Sequence, residues 1–174
     1  MHQNFLILMH IYIKSPIILM CINLALKEEY MRVAIASDHG GFCQKADIAS
    51  YIEELGHEVI DFGPDSDDRC DYPDFAHKVA FAIVEGEADR GILICGTGLG
   101  MAMTADKVAG IRAAAVQNVE FARLSRQHNN ANVECLSGRF VDLDTNKEIV
   151  KTFLETEFEG GRHEARVAKM MAED

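Results

Sequence analysis

The stretch Gly91-Ile92-Leu93-Ile94-Cys95-Gly96-Thr97-Gly98-Leu99-Gly100 decides the fold of this chain. Its apolar run, residues 92–94, is typical of a buried parallel strand. Cys95 ends the run, and glycine then takes every second position of a loop that leads into a helical segment, residues 101–107. Such a strand–loop–helix junction leaves backbone N–H groups able to bind an anion. It also places the Cys95 thiol near a helix N-terminus, where the dipole favours a thiolate.

Each part of this stretch also has a simpler interpretation. A lone cysteine at a strand end is most often a small buried hydrophobic residue, and such glycines most often form a tight turn. The spacing of Gly96, Gly98 and Gly100 is not that of a dinucleotide-binding G-x-G-x-x-G loop, and no Lys-Ser or Lys-Thr follows, as a Walker loop requires. The loop by itself therefore leaves both a turn and an anion site open.

The composition of the 174-residue chain is that of one α/β domain, with 48% hydrophobic and 26% charged residues. The net charge of −11 argues against nucleic acid or an anionic membrane as the partner. The five cysteines are irregularly spaced without a C-x-x-C pair, which predicts neither a disulfide framework nor a zinc site. This usage indicates the reducing cytoplasm.

The first 30 residues differ in composition from the remainder. The apolar run there is split by Lys14 and Pro16, whereas a membrane-spanning helix needs about 20 consecutive apolar residues. A signal peptide would need positive charge before the run and a small-residue cleavage site after it. We therefore predict that residues 1–30 are an N-terminal extension and that residues 31–174 form a single domain. A membrane anchor is the alternative for the extension.

Strand-like and helix-like segments alternate from Met31 onward. Strands are predicted over residues 32–36, 58–61, 91–94, 111–116 and 133–136. Helices are predicted over residues 42–55, 72–85, 118–126, 144–155 and 163–171, with one more opening near residue 100. This alternation predicts a Rossmann-like three-layer α/β sandwich, in which a five-stranded parallel sheet carries helices on both faces.

Ligands of such sheets bind beyond the carboxyl ends of the strands. Three of those ends carry polar or reactive residues, namely Asp38-His39, Cys95 with its loop, and Gly138-Arg139. Asp38 is equally suited to cap the following helix, and His39 to lie on the surface. We favour ligand binding because two glycines follow His39 and allow the backbone to approach a ligand closely.

Two further polar segments are candidates for chemistry. In residues 125–132, His128 is the best general acid or base, since imidazole titrates near neutrality; the alternative is a loop whose asparagines form turns. In residues 160–166, Arg162 and Arg166 are spaced to share one helix face and to bind a phosphate dianion. The alternative there is a solvated face that pairs with neighbouring glutamates.

Several motifs together resemble the ribose-5-phosphate isomerase B family, which includes the galactose-6-phosphate isomerase subunits. The resemblance runs from Met31 to about the C-terminus. The motifs are, in order, Asp38-His39-Gly40, Asp71-Tyr72-Pro73, Ile94-Cys95-Gly96-Thr97-Gly98-Leu99-Gly100, Leu124-Ser125-Arg126-Gln127-His128-Asn129, and Glu159-Gly160-Gly161-Arg162-His163 with Arg166. The resemblance implies an aldose–ketose isomerase without metal or cofactor. Its expected reaction is the interconversion of D-ribose 5-phosphate and D-ribulose 5-phosphate in the non-oxidative pentose phosphate pathway.

The resemblance also implies roles for individual residues. Cys95 would be the base that moves the proton between C1 and C2, since Met101 stands where other members carry a glutamate base. His128 would open the sugar ring, and Thr97 would act in catalysis within the loop that holds the enediolate oxygens. The remaining residues would bind substrate: Asp38, His39, Tyr72, Gly96, Gly98, Leu99, Gly100, Asn129, Arg139, Arg162 and Arg166.

The family resemblance further implies a homodimer, or a tetramer, whose site is shared between subunits. The galactose-6-phosphate isomerase subunits divide the catalytic set between two chains, whereas this chain carries all of it, which favours ribose 5-phosphate.

Two other functions are alternatives to an isomerase. A phosphosugar-binding module without activity would need neither Cys95 nor His128. A redox-sensing protein would usually have a resolving cysteine close to Cys95, and the sequence has none there.

Overall fold

The computed structural model describes residues 30–172, and within them a structural unit begins at Met31. The predicted extension, apart from Tyr30, lies outside the described residues. No helix within residues 30–172 is long and apolar enough to cross a membrane.

Parallel strands and helices alternate through the described part of the chain. The strands are β1 (Arg32–Ser37), β2 (Glu58–Asp61), β3 (Arg90–Cys95), β4 (Ala113–Ala115) and β5 (Val133–Ser137). The helices are α1 (Phe42–Glu54), α2 (Tyr72–Val84), α3 (Leu99–Ala105), α4 (Val119–Asn129), α5 (Leu143–Glu155) and α6 (Glu164–Met171), the last preceded by a 3-10 turn, Gly161–His163. The sheet order is β2-β1-β3-β5-β4, and every pair is parallel. The predicted five-stranded parallel α/β fold is confirmed.

Strand β3 lies in the middle of the sheet, and its apolar run is buried on both faces. Ile92 and Ile94 pack into one hydrophobic cluster and Leu93 into the other, and all three are fully buried. Full burial of such side chains contributes about 1.5–3 kcal/mol each. This packing explains why a continuous apolar run, without alternation, forms the central strand.

Most elements begin or end one or two residues from their predicted bounds, and two of the differences have a clear physical cause. The fourth strand is predicted over 111–116 but covers only Ala113–Ala115, because Ile111 belongs to a turn in which its N–H donates to the Val108 carbonyl at 3.1 Å. The fourth helix is predicted to end at residue 126 but continues to residue 129. It ends where Asn130 takes a left-handed conformation, with φ of 50°. His128 and Asn129 therefore lie in the last helical turn and not in a loop.

Glu134 is a carboxyl group in the middle of β5 and is fully buried. Burial raises its pKa well above the ordinary value. Ser125 Oγ lies 3.1 Å from Glu134 Oε2 and 2.8 Å from the Ala122 carbonyl oxygen. The Ser125 hydroxyl has one proton and donates it in the hydrogen bond to the Ala122 carbonyl. Its oxygen can therefore accept a hydrogen bond from a protonated Glu134. We infer that the folded protein keeps Glu134 neutral.

We expect Glu134→Gln to stabilise the protein at pH 7.5. Above the ordinary glutamate pKa the unfolded chain ionises Glu134 while the folded chain keeps the proton, so the free energy of unfolding falls as pH rises. Glutamine donates to Ser125 without this dependence, and each kcal/mol gained raises Tm by about 3 °C. Thermal melts at pH 4.5 and 7.5 test this, with the exposed Glu148→Gln as the control. An equal difference in Tm at both pH values would contradict the prediction.

Candidate active site

Glycines bring the loops after β1, β3 and β5 into contact at the carboxyl edge of the sheet. A Cβ atom on Gly41 would lie 2.5 Å from the Ile94 carbonyl oxygen, and one on Gly138 would lie 2.8 Å from the Gly40 carbonyl oxygen. Neither distance is possible for a residue with a side chain. The Gly138 N–H donates to the Cys95 carbonyl at 2.8 Å. The three polar strand ends singled out in the sequence therefore converge.

Cys95 ends β3 with its side chain nearly buried, 5% exposed. The N–H of Gly98 donates to its Sγ at 3.1 Å. Gly98 has φ of 80°, and a Cβ there would lie 2.8 Å from the Cys135 carbonyl oxygen, so this position requires glycine. Thr97 Oγ1 accepts from the Leu99 N–H at 3.4 Å. One loop donor thus faces the sulfur itself.

Asp38 is buried directly after β1, and it shapes its own loop. Its Oδ1 accepts from the N–H groups of Gly40 and Gly41 at 2.8 and 3.1 Å. Asp38 therefore stabilises the turn of residues 38–41 and does not cap helix α1, whose N-cap position is Gly41 and has no side-chain cap. Its own N–H donates to the Ile94 carbonyl at 3.0 Å, which places it beside the Cys95 loop.

His39 and Tyr72 lie on the same edge of the sheet. His39 Nδ1 is 3.2 Å from the Cys70 carbonyl oxygen, which orients the ring. Tyr72 begins α2 and is 40% exposed. Its ring packs on Gly100, where a Cβ atom would lie 2.8 Å from a ring carbon.

Arg139 lies against the glycine loop in the same chain. Its Cδ is 3.4 Å from the position of a Cβ on Gly96. A buried pair of amides holds the Arg139 loop: Gln44 Nε2 donates to two of its carbonyl oxygens at 3.2 and 3.0 Å, and Asn146 Nδ2 donates to Gln44 Oε1 at 2.7 Å. Neither amide was predicted as part of the site, since nothing in a helical pattern distinguishes such residues from surface ones.

We call these residues the carboxyl-edge group. Its members are Asp38, His39, Tyr72, Cys95, Gly96, Thr97, Gly98, Leu99, Gly100 and Arg139.

The other predicted residues form a second cluster, the helix-end group: His128, Asn129, Arg162 and Arg166. His128 and Asn129 end α4, and Arg166 projects from α6 into a cavity of about 220 Å³ that His128 and Asn129 also line. Arg162 lies in the 3-10 turn before α6, so the two arginines do not share one regular helix as the spacing predicts.

His163 and Glu159 belong to this cluster, although the sequence analysis gave them no role. The His163 ring is 3% exposed and stacks on the His128 ring, with centroids 4.3 Å apart and planes within 9°. Glu159 Oε2 lies 3.7 Å from His128 Nε2 and 3.6 Å from His163 Nε2. The sequence signal was present, because His163 stands inside the quoted Gly-Gly-Arg-His motif.

The charge state of His163 follows from its neighbours. Burial lowers its pKa, and the charges of His128, Arg162 and Arg166 lower it further against the opposing effect of Glu159. Arg162 Nε donates to His163 Nε2 at 3.2 Å. The His163 ring is therefore neutral at pH 7 and carries its proton on Nδ1.

The side chains of His128, Glu159 and His163 have the composition of a metal site, with ligand atoms within 4.8 Å of one another. A metal bound to imidazole nitrogen lies in the plane of the ring. Because the two rings are stacked in nearly parallel planes, no metal position near them lies in the planes of both rings. In addition, His163 Nε2 already accepts a hydrogen bond from Arg162. This arrangement favours a stacked pair over a metal centre.

Topology separates the two groups within one chain. Helix α4 runs back from the carboxyl edge to the amino edge, where Asn132, just beyond its end, accepts from the N–H of Gly91 at the start of β3. Cys95 stands at the other end of that strand. Six residues of strand span roughly 16 Å at about 3.3 Å per residue. His128 and Cys95 of one chain are therefore too far apart to touch one small substrate.

The chain is similar to a set of known isomerases. Residues 33–170 match the family model described as Ribose/Galactose Isomerase. The chain is 47% identical over 141 residues to ribose-5-phosphate isomerase B of Escherichia coli strain K12, covering 81% of this chain and 95% of that protein.

Solved structures show the same similarity. The structure of Clostridium thermocellum ribose-5-phosphate isomerase B has a TM-score of 0.80 and 52% identity, covering 82% of this chain and 96% of that one. That of Mycoplasma genitalium ribose-5-phosphate isomerase B with bound ribulose 5-phosphate has a TM-score of 0.78 and 46% identity, over 82% and 95%.

Proposed function

The chain belongs to the ribose/galactose isomerase family, and we infer that it is an aldose–ketose isomerase that interconverts D-ribose 5-phosphate and D-ribulose 5-phosphate. Its similarity to the ribulose 5-phosphate-bound isomerase over nearly the whole of that protein supports this substrate. The observation that carries the chemistry is the Cys95 thiol at the end of β3, with the Gly98 N–H directed at its sulfur. A binding module or a redox sensor would not need this thiol together with His128.

Cys95 is proposed as the base for carbon. Isomerisation requires removal of the C2 proton of the open-chain aldose, which leaves an enediolate. Returning the proton to C1, with the O2 proton moved to O1, gives the ketose without any oxidant. Backbone N–H groups of the loop, other than that of Gly98, are proposed to stabilise the enediolate oxygens together with Thr97.

His128 is proposed to open the sugar ring. In this step the C1–O4 bond of the furanose breaks, O1 loses its proton to a base, and O4 gains a proton. An imidazole can serve as both base and acid near neutral pH. Asn129 and the arginines are proposed to bind the hydroxyls and the phosphate.

We propose that the active site is assembled between two copies of the chain. The proposed carbon base, Cys95, lies in the carboxyl-edge group, whereas the proposed ring-opening residue, His128, lies in the helix-end group with the two arginines proposed to bind phosphate. Large apolar side chains are exposed around the carboxyl edge, where Leu99, Met103 and Phe140 are 51%, 67% and 74% exposed. A second copy that covers them would bring its His128 to Cys95. We also propose a cytoplasmic location and a role in the non-oxidative pentose phosphate pathway.

A coupled isomerisation assay tests the reaction. Turnover of ribose 5-phosphate, with little turnover of allose 6-phosphate or galactose 6-phosphate, is the expected result. Preferred turnover of a six-carbon phosphate would contradict the proposed substrate and leave the reaction class standing.

We expect Arg166→Ala to raise KM for ribose 5-phosphate more than tenfold, and Arg162→Ala to do the same. A hydrogen bond to a charged group is worth about 1.5–3 kcal/mol, and its loss appears mainly as weaker phosphate binding. Lys169→Ala removes an exposed cation from the same helix and serves as the control. Steady-state kinetics with an unchanged KM in both arginine variants would show that these side chains do not bind the phosphate.

A further inference from the structure

We propose that His163 is a positioning residue that holds the ring of His128 in the orientation needed to exchange protons with the sugar. This inference rests on the proposed role of His128 in ring opening. It begins from the stack itself: the two rings are parallel within 9° and their centroids are 4.3 Å apart. Contact across a whole ring face fixes the plane of a side chain that is otherwise one-third exposed.

His163 is suited to this role because it is itself held in place. Only 3% of the residue is exposed, and it stands in the 3-10 turn that precedes α6. Arg162 Nε donates to its Nε2 at 3.2 Å, and its own N–H donates to the Gly160 carbonyl at 3.0 Å. A ring tethered at the backbone and at Nε2 cannot turn freely, so it gives His128 a fixed surface.

The neutrality of His163 matters as much as its position. A second imidazolium stacked on His128, beside Arg162 and Arg166, would oppose protonation of His128, which must carry a proton during ring opening. With His163 neutral, the carboxylate of Glu159 serves as the counter-charge for His128. The Glu159 N–H donates to the Gln127 carbonyl at 3.1 Å, which holds this carboxylate next to the stacked rings.

The stack also links two parts of the proposed reaction. Arg162 is a proposed phosphate ligand, and its Nε–H contacts the ring that orients the proposed acid for ring opening. Only the His163 side chain therefore lies between the proposed phosphate ligand Arg162 and His128. Anchoring at one end of the substrate would help to hold the proton-transferring ring at the other end.

Two substitutions separate the stack from the hydrogen bond. His163→Phe keeps a flat neutral ring and loses the acceptor for Arg162, whereas His163→Asn keeps an acceptor and loses the ring. We expect H163N to lower kcat on ribose 5-phosphate about tenfold to a hundredfold, as misoriented catalytic groups do. It should affect initial rates on ribulose 5-phosphate much less, because that substrate has no furanose to open.

H163F should recover most of the kcat lost in H163N while raising KM, because Arg162 loses its acceptor. Adding H163N to His128→Asn should cause little further loss on ribose 5-phosphate, since both changes act on the same step. Equal kcat in H163N and wild type, or identical behaviour of the two His163 variants, would overturn the proposal.

A spectroscopic measurement tests the positioning without any activity. The His128 ring proton resonances, identified by their absence in His128→Asn, should shift when the facing ring is removed in H163N and stay near their wild-type positions in H163F. Unshifted resonances in H163N would overturn the proposal even in a variant that folds with the wild-type Tm. If wild-type protein fails to isomerise ribose 5-phosphate, the proposed function fails, and this spectrum still decides whether the His163 ring stacks on His128 in solution.

Discussion

Cys95→Ala is expected to lower kcat by about 10²–10⁴-fold, the usual effect of removing a general base. The reason is that Met101 follows the glycine loop, so no carboxylate stands there to replace the thiol. KM should change little, because phosphate binding is proposed to depend on the arginines. Cys95→Ser should recover little activity, since an alkoxide is much harder to form than a thiolate.

The decisive measurement for Cys95 is exchange of the C2 proton of ribose 5-phosphate with deuterated solvent, followed by NMR. Exchange at nearly the wild-type rate in Cys95→Ala would mean that the thiol only packs and that the base lies elsewhere. This assay observes the carbon proton directly, so it separates loss of the base from loss of ring opening.

Alkylation gives a second test of the same residue. Iodoacetamide should inactivate the protein, and saturating ribose 5-phosphate should protect it. Cys43 is exposed and Cys70 half-buried, and the chain also contains Cys21, so the experiment belongs in a C21S/C43S/C70S background, which should retain full activity. Cys135 is fully buried, and burial raises its pKa well above the ordinary value, so it should stay unmodified in the folded protein.

Mixing Cys95→Ala with His128→Asn chains should restore activity that neither variant has alone. If each site takes Cys95 from one chain and His128 from another, a mixed dimer has one complete site and one site that lacks both groups. Random assortment makes half of the dimers mixed, so about a quarter of wild-type activity should return. Purified dimers that carry two different tags would show the effect without the inactive homodimers.

A matched control uses wild-type chains paired with the double variant C95A/H128N. A shared site leaves this mixed dimer with no complete site, so its activity should vanish. A site built within one chain predicts the opposite pattern, with half the activity in this control and none regained in the first mixture. The two mixtures together therefore decide between the two arrangements.

The sequence by itself determined the fold and which polar residues lie at the carboxyl ends of its strands. An apolar run without alternation, bounded by glycine, is typical of a strand buried on both faces of a sheet, and the run at residues 92–94 did form the central strand. Strands separated by helix-length segments then allowed only a parallel sheet. Parallel strands end at one edge, which is why Asp38, Cys95 and Arg139 were correctly expected to be close together.

Only the tertiary structure decided how the predicted site residues are divided between the carboxyl-edge group and the helix-end group. Sequence order does not show that His128 belongs to a helix returning to the amino edge, because its asparagine-rich surroundings have the composition of a loop. The stack of His163 on His128 joins residues that are 35 positions apart in the sequence. The periodicity of one helix carries no information about its contacts with another element. Local patterns specify local structure, whereas such contacts arise when distant elements pack against the same core.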